Sequence, residues 1–357
     1  MQRGSSQYYD DTNGVPLEDG RTHHVGVAKG EVANRIVLVG SSSRAATLCS
    51  LLDGAPQFSI KSHRGFETYT GTFQGTPVSI VTTGMGGPMM DFAVRELRHV
   101  VDGDLVMVRL GSCGGLSPAA VPGAVVANTP GSVRIARNFD ADFSDESDIN
   151  YVISRRRAAP DVALAQRLAA ELARECDVVY GLNASADSFY DAQGRTDPNF
   201  RDGNGNVLER LRARGVASVE MESFYLLHLA AHGANMRAAT CAIVAANRGT
   251  GAVVEKDAFE AVEARAGRAV LRAVVAAPAD VPPPAPAAHE TVAEAASVAE
   301  AGSALRAMQI RLGMMSKGML AEPKGKIIYA VRKYSATEAD RERPEDEEIL
   351  LPLPDGR

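Results

Sequence analysis

Four short runs hold the side chains whose types and spacing suit chemistry. In Val39-Gly40-Ser41-Ser42-Ser43-Arg44, a glycine and small hydroxyl residues let backbone N–H groups approach an oxyanion, and Arg44 adds a fork of charge-assisted donors. An ordinary strand-to-helix turn with a surface arginine would read the same way. In LVMVRLGS (105–112), Arg109 interrupts an apolar run and Ser112 follows at its end. A buried guanidinium is costly unless an anion or a carboxylate meets it, so Arg109 marks either a bound anion or a structural ion pair. TTGMGGPMM (82–90) brings backbone close to something, or simply turns tightly. The fourth run is split. Gln193 and Arg195 lie two apart in NASADSFYDAQGR (183–195), where both can face one planar, multiply hydrogen-bonding partner. Glu220 and Glu222 flank Met221 in VEMES (219–223). They suit either hydroxyl and Arg195 donors or the positive end of a helix starting there.

Several chemistries are excluded. GMGGPM lacks the third glycine of a dinucleotide-binding turn, and no Walker lysine follows it. The four cysteines, Cys49, Cys113, Cys176 and Cys241, form no CxxC or Cys/His cluster, so they read as reduced packing thiols and no zinc site is expected. His99, His228 and His232 fall on helices without a spacing that suggests a metal, and His63 reads as structural. The net charge of −6 argues against nucleic acid or an anionic membrane as partner, so any anion must be gripped locally. The polar, acidic N-terminus is not a signal peptide, and no run of apolar residues is long enough to span a membrane. The expected location is the cytoplasm. Only seven of the 38 basic residues are lysine, so arginine is the background choice and only its placement is informative.

The elements that must position these residues alternate. Residues 37–40, 78–83, 105–110, 125–128, 178–182 and 238–246 read as strands, and 88–101, 160–176, 221–233 and 255–276 as helices. This alternation predicts an α/β sandwich on a largely parallel or mixed central sheet, with ligands at the carboxyl ends of strands. After residue 277 the composition changes. Residues 278–289 read as a Pro/Ala linker, 290–309 as an alanine-rich helix, 327–331 as a short strand and 335–357 as an acidic tail, within an extension (290–357) of no evident chemistry.

Taken in order, HVGV, VGSSSR, SHRGFETY, TTGMGGP, VRLGSCG, NASADSFYDAQGR, VEMES and Asn247-Arg248 resemble the nucleoside phosphorylase-I family, and within it the uridine-cleaving branch most closely. The resemblance covers about 22–277, beyond an N-terminal arm (1–21). It implies a three-layer αβα sandwich with a mixed sheet, the nucleoside phosphorylase/hydrolase fold. The implied reaction is reversible phosphorolysis of uridine to uracil and ribose 1-phosphate, a pentosyl transfer in pyrimidine salvage. Gly40 (through its N–H), Arg44, Arg109 and Ser112 would bind phosphate, joined by Arg64 of a neighbouring subunit. Met221 and Glu222 would hold the ribose, with His24 of the neighbour on its 5′-hydroxyl. Phe189 would stack on the base, Gln193 and Arg195 would read its carbonyl and imide edge, and Glu220 would orient that pair. Arg109, Arg195 and Glu222 would carry catalysis, and no cofactor is implied because phosphate is the co-substrate. Sharing of His24 and Arg64 implies a homo-oligomer, at least a dimer, with the family's hexamer a trimer of dimers.

The chain departs from the family at three places. Gly65 and Met89 occupy the positions of a glutamate and a serine that help some relatives bind an interface cation, which leaves Glu67 as the nearby carboxylate. TDPNFRDGNGN (196–206) replaces the usual loop over the base and reads as a mobile flap. Ala245 and Ala246 replace bulkier aliphatics of the base pocket and make room for a broader pyrimidine range. A purine-specific relative would carry an aspartate near Asn247, and a nucleosidase would lack the arginine set.

Overall fold

The structure, a computed structural model, describes residue 11, residues 13–141 and residues 150–279. The helix expected over 290–309, the strand over 327–331, the acidic tail and all but the first two residues of the expected linker lie outside the described residues. No described helix is long and apolar enough to cross a membrane.

A two-rung hairpin comes first, β1 (Leu17–Glu18) against β2 (Arg21–Thr22). The sandwich then runs β3 (Arg35–Val39), α1 (Ser42–Cys49), β4 (Phe58–Lys61), β5 (Glu67–Phe73), β6 (Thr76–Thr82), α2 (Gly87–Val100) and β7 (Leu105–Gly115). It continues through β8 (Val125–Ala127), β9 (Ser132–Arg137), β10 (Tyr151–Ile153), α3 (Val162–Ala173), β11 (Val178–Tyr180) and β12 (Leu182–Ala186). After a 3-10 turn (Asp191–Gln193) come α4 (Val207–Ala213), β13 (Val216–Glu220), α5 (Ser223–His232), β14 (Met236–Asn247) and α6 (Lys256–Val275). All six predicted strands and four predicted helices are present. The strand expected over 178–182 is divided at Gly181, and the helix expected from 221 starts at Ser223, with Glu222 as its N-cap. The hairpin strands β4 and β5, the strands β9 and β10 and the short helices α1 and α4 carried too little periodicity to be read. Side chains start two of the helices: Ser41 Oγ accepts from the N–H of Arg44 at α1, and Asp161 Oδ1 from that of Leu164 at α3.

β7 organises the rest. Its alternate residues Val106, Val108 and Leu110 enter one core, shared with Leu48 of α1, Leu168 of α3 and Val270 of α6. Leu105 and Met107 enter the other, shared with Leu97 of α2 and Leu226 of α5. These are the three layers expected, helices on both faces of a mixed sheet. β3, β6 and β14 all run parallel, directly or through β3, to β7, so their carboxyl ends share one edge. Past that edge the sheet bends into a circuit: β7 to β14, β8 and β11, then through Gly181 into β12, to β13 and back to β7. Five of its strands meet in a cluster of small side chains, among them Cys113, Val126, Val179, Ala217 and Ala242. A closed ring of so few strands leaves room for little more.

Gly87, the first residue of α2, lies against the ring of Tyr225 on α5, and a Cβ there would stand 2.5 Å from Tyr225 Cζ. The same ring holds Arg134 Nε on its hydroxyl at 3.1 Å, so it is not free to retreat. Gly87→Ala is expected to cost about 1–3 kcal/mol of unfolding free energy, the range for overpacking. A denaturant midpoint unchanged from wild type would contradict this contact.

Candidate active site

The carboxyl ends of β3, β6, β7, β13 and β14, with the loop after β12, enclose a cavity of about 320 Å³. Gly40, Arg44, Arg109 and Ser112 line one end, Met221 and Glu222 the middle, and Phe189, Gln193 and Arg195 the other. Twelve residues were expected at the site, and the fold lines one cavity with ten of them; the other two, His24 and Arg64, were expected from a neighbour.

Arg109 continues the face of Leu105 and Met107, so β pleating turns its side chain toward α5 at the end where the strand leaves the core. It is 3% exposed. Its Nη2 donates to Glu222 Oε2, and its Nη1 stands 3.5 Å from Glu220 Oε2. Nε and Nη1 are buried without a hydrogen bond, the state expected of donors that await an acceptor. Gly111 makes the conformation possible, since a Cβ there would stand 1.7 Å from Arg109 Nη1. The two carboxylates diverge. Burial opposes ionisation of both. Glu220 is nevertheless held below the ordinary carboxylate range by Arg109, Ser185, Asn183 and the Glu222 N–H. Glu222 is pushed above that range, because its burial and the charge of Glu220 outweigh its share of Arg109 and the N–H of Gly86.

Arg44, 6% exposed, reaches the same end from the first turn of α1. Its Nε donates to Glu263 Oε2 of α6 at 2.8 Å and its Nη1 to the carbonyl of Leu110 at 3.2 Å. Glu263 also accepts from Thr47 Oγ1 at 3.3 Å. Glu263, which no motif marked, thus holds a cavity arginine from the last helix.

At the far end, Arg195 Nη1 donates to Gln193 Oε1 at 2.9 Å and to the carbonyl of Phe189 at 2.6 Å. Gln193 Nε2 keeps only a 3.4 Å bond to the Ser188 carbonyl and faces the cavity as a donor. The Arg195 guanidinium lies 3.7 Å over the Phe189 ring, so one face of that ring is covered and only the other face or the edge is left for stacking. Burial and Arg248 bring Arg195 down to about 10, still a cation at neutral pH. Arg248 donates to the carbonyls of Gln193 at 3.1 Å and Gly194 at 3.5 Å and lines the cavity itself. Its signal was its place just past the end of β14, beside the other strand exits. Ala245 and Ala246 line the wall as expected.

Three expectations are corrected. Glu220 does not orient Gln193 and Arg195: its oxygens accept from Asn183 Nδ2 at 2.7 Å, Ser185 Oγ at 2.5 Å and the N–H groups of Glu222 and Ser223 at 2.9 and 3.0 Å. It ties β12 to the start of α5, the helix-end reading of that glutamate, while Arg248 and Asn204 brace the loop. Asn204 donates to the carbonyls of Asp191 and Arg195 at 3.0 and 2.6 Å, so this end of the 196–206 segment, expected as a mobile flap over the base, is anchored to the 191–195 backbone. Asn247 turns away from the cavity, donating to the carbonyls of Ser117 and Ala120 and accepting from Gly249 and Thr250, so it cannot report on the base. His24 is fixed by Glu96, through Nδ1 at 2.6 Å, and stacks on Phe92. Arg64 lies 3.5 Å from His23 Nε2, and neither His24 nor Arg64 lines the cavity. Gly65 sits in a turn at φ +86°, and Glu67 is taken by Lys61 at 2.7 Å and Tyr69 at 3.1 Å. Cys113 is buried, and burial pushes its thiol well up. Among the described residues no group of three or more His, Cys, Asp or Glu is placed to hold a metal.

Two expectations follow from this geometry. Gly111→Ala must displace the Arg109 guanidinium, and a misplacement of about 1 Å is expected to weaken anion binding by tenfold or more. Sulfate titration calorimetry checks this; an unchanged affinity would place the anion elsewhere. Because Glu222 is raised above its unfolded value, it contributes stability at low pH that is lost as pH rises through its folded value. Glu222→Gln removes that slope, so its melting temperature at pH 7 should equal or exceed that of wild type. A lower one would show that the ionised carboxylate stabilises the fold.

A family model described as the phosphorylase superfamily matches residues 34–277. The uridine phosphorylase of Thermococcus kodakarensis is 33% identical over 248 residues, 68% of this chain and 84% of that one. A DeoD-type purine nucleoside phosphorylase of Geobacillus kaustophilus is 30% identical over 213 residues, 58% of this chain and 79% of that one. A solved structure from a study of two uridine phosphorylases of the oomycete Phytophthora capsici superposes with a TM-score of 0.72 at 41% identity, covering 76% of this chain and 99% of that one. With a matched span that contains β3 through α6 and every cavity residue, this chain belongs to the phosphorylase superfamily of enzymes.

Proposed function

We propose that this enzyme is a uridine phosphorylase, a pentosyltransferase that exchanges the uracil of uridine for phosphate in pyrimidine salvage. The observation that carries the reading is the separation of donors along one cavity. Arg109, with two unmet N–H groups, stands with Arg44 at one end, and the locked Gln193–Arg195 pair at the other, with Met221 and Glu222 between them. Phosphorolysis passes through a ribosyl centre of oxocarbenium character while negative charge collects on the departing base. A cation and an amide donor placed where that charge develops remove the need to protonate the ring. Arg195 and Gln193 meet the carbonyl and imide edge of uracil in this reading. Gly40, Arg44, Arg109 and Ser112 hold phosphate in line with the sugar, where orientation is the main contribution. A nucleosidase, whose nucleophile is water, would have no use for Arg44 and Arg109 at that end. No cofactor takes part in the proposed reaction. Similarity to uridine phosphorylases supports the pyrimidine over the purine reading, as does the two-donor clamp.

In the same reading, His24 and Arg64 complete the site of a second copy, making the enzyme a cytoplasmic homo-oligomer of at least two subunits. Their position outside their own subunit's cavity supports this.

The test is phosphorolysis of uridine, deoxyuridine, thymidine, inosine and methylthioadenosine with and without phosphate. Phosphate-dependent release of uracil from uridine is expected, and its absence would overturn the reading. Arg195→Ala is expected to lower kcat/KM for uridine by about 100-fold or more while leaving the phosphate KM within a few-fold. A loss shared with the phosphate KM would overturn the base assignment. Specific activity should fall on dilution into the monomer; a fully active monomer would refute the shared site.

A further inference from the structure

Arg109 is shared by two buried carboxylates, and that limits how an anion can enter. Glu220 is ringed by five hydrogen bonds from Asn183, Ser185, Glu222 and, to both oxygens, Ser223. A carboxyl group so placed among donors is an acceptor only, with no place for a proton of its own. Glu222 accepts from the Gly86 N–H on Oε1 at 2.6 Å, while its Oε2 faces Arg109 Nη2. The donors that no hydrogen bond engages, Arg109 Nε and Nη1, therefore belong to the guanidinium that neutralises Glu222, and it must turn to present them to an anion.

The charged groups around Glu222 are Arg109 on β7 and Glu220 on β13. The turn before α2 offers it only the Gly86 N–H, and the first turn of α5 carries no acidic residue. Arg44 on α1 is paired with Glu263 on α6, and Arg195 and Arg248 line the far end. Before any anion arrives, two arginines thus face three carboxylates at this end within one subunit, and Arg64 of a second copy would bring that balance only to neutrality. A dianion added to that balance in a buried site is costly unless one negative charge is removed.

We propose that phosphate enters this cavity together with a proton, and that Glu222 takes the proton on Oε2 as Arg109 turns its donors to the anion. The inference rests on the phosphate-binding reading and deepens it. The proton comes from solvent, an O–H bond forms at Oε2, and the hydrogen bond from Arg109 Nη2 passes from the carboxylate to the anion; no other bond changes. Glu222 then becomes a hydrogen-bond donor toward the anion or a ribose hydroxyl, where an ionised carboxylate could only repel the first. The raised proton affinity of Glu222 in the unliganded cavity points the same way. Glu220, with more donors, stays ionised and keeps Arg109 charged.

Sulfate tests this, because unlike phosphate it does not titrate near neutrality. Calorimetric titration of the full-length enzyme with sulfate at about pH 7.5, in buffers of contrasting ionisation enthalpy, should show uptake approaching about one proton per site. Sulfate affinity should fall by up to about tenfold per pH unit on the alkaline side. Glu222→Gln should bind sulfate with no proton uptake and little pH dependence. Sulfate binding by wild type without proton uptake would overturn the proposal and leave the phosphate site standing, as would uptake that persists in Glu222→Gln. Failure of wild type to bind either sulfate or phosphate would instead defeat the phosphate site itself. The wild-type proton count decides the question even if the variant does not fold.

Discussion

Arg109 is a positive charge placed inside a strand, β7, whose neighbouring residues build both cores. Such a group is tolerated only where carboxylates or an anion meet it, and much of the surrounding architecture serves that need. β13 ends at Glu220 because the chain must deliver a carboxylate there, and α5 begins directly after Glu222 for the same reason. Gly111 is a glycine because the guanidinium folds back over it. The turn before α2 brings the Gly86 N–H onto Glu222, so the β6–α2 connection is held by the same centre. An apolar replacement set could pack this volume at least as stably; its ionic groups make sense as a device for handling charge.

The same logic separates the two ends of the cavity. The end proposed for phosphate is built on strand termini and a capped helix, elements held by the cores, and its arginines are pinned by carboxylates from β13, α5 and α6. The end proposed for the base is built on a loop, and it acquires rigidity from within: Arg195 stacks on Phe189 and bonds Gln193, while Arg248 and Asn204 hold the backbone from either side. A loop braced in this way can differ in sequence from that of relatives without disturbing the phosphate end. The division suits an enzyme whose nucleophile is constant and whose leaving group sets specificity.

The position of strands and helices was legible wherever apolar periodicity was strong, as in 105–110 and 255–276. It was not legible for β4, β5, β9 and β10, where polar residues and short length blur the alternation. Arg109 announced itself as a charge in an apolar run, and Gln193 and Arg195 as neighbours in a loop. Glu263 gave no such signal. It lies on a helix among other glutamates and arginines, and only the packing of α6 against α1 turns it toward Arg44. Asn247 misled for the converse reason: a residue at a strand exit can face the ligand or the following turn, and backbone geometry chooses.

The sequence by itself determined which residue types the site would contain and that the alternating elements would carry them to one edge of a sheet. Both follow from local properties, the period of apolar residues and the cost of burying charge. Tertiary structure alone decided the pairings. That Glu220 braces β12 and α5 while Glu222 faces the cavity, or that Arg195 covers one face of Phe189, depends on distances between segments far apart in the chain. Two glutamates two positions apart look equivalent along the chain. They differ because one falls among donors from β12 and α5 and the other beside a guanidinium it must share.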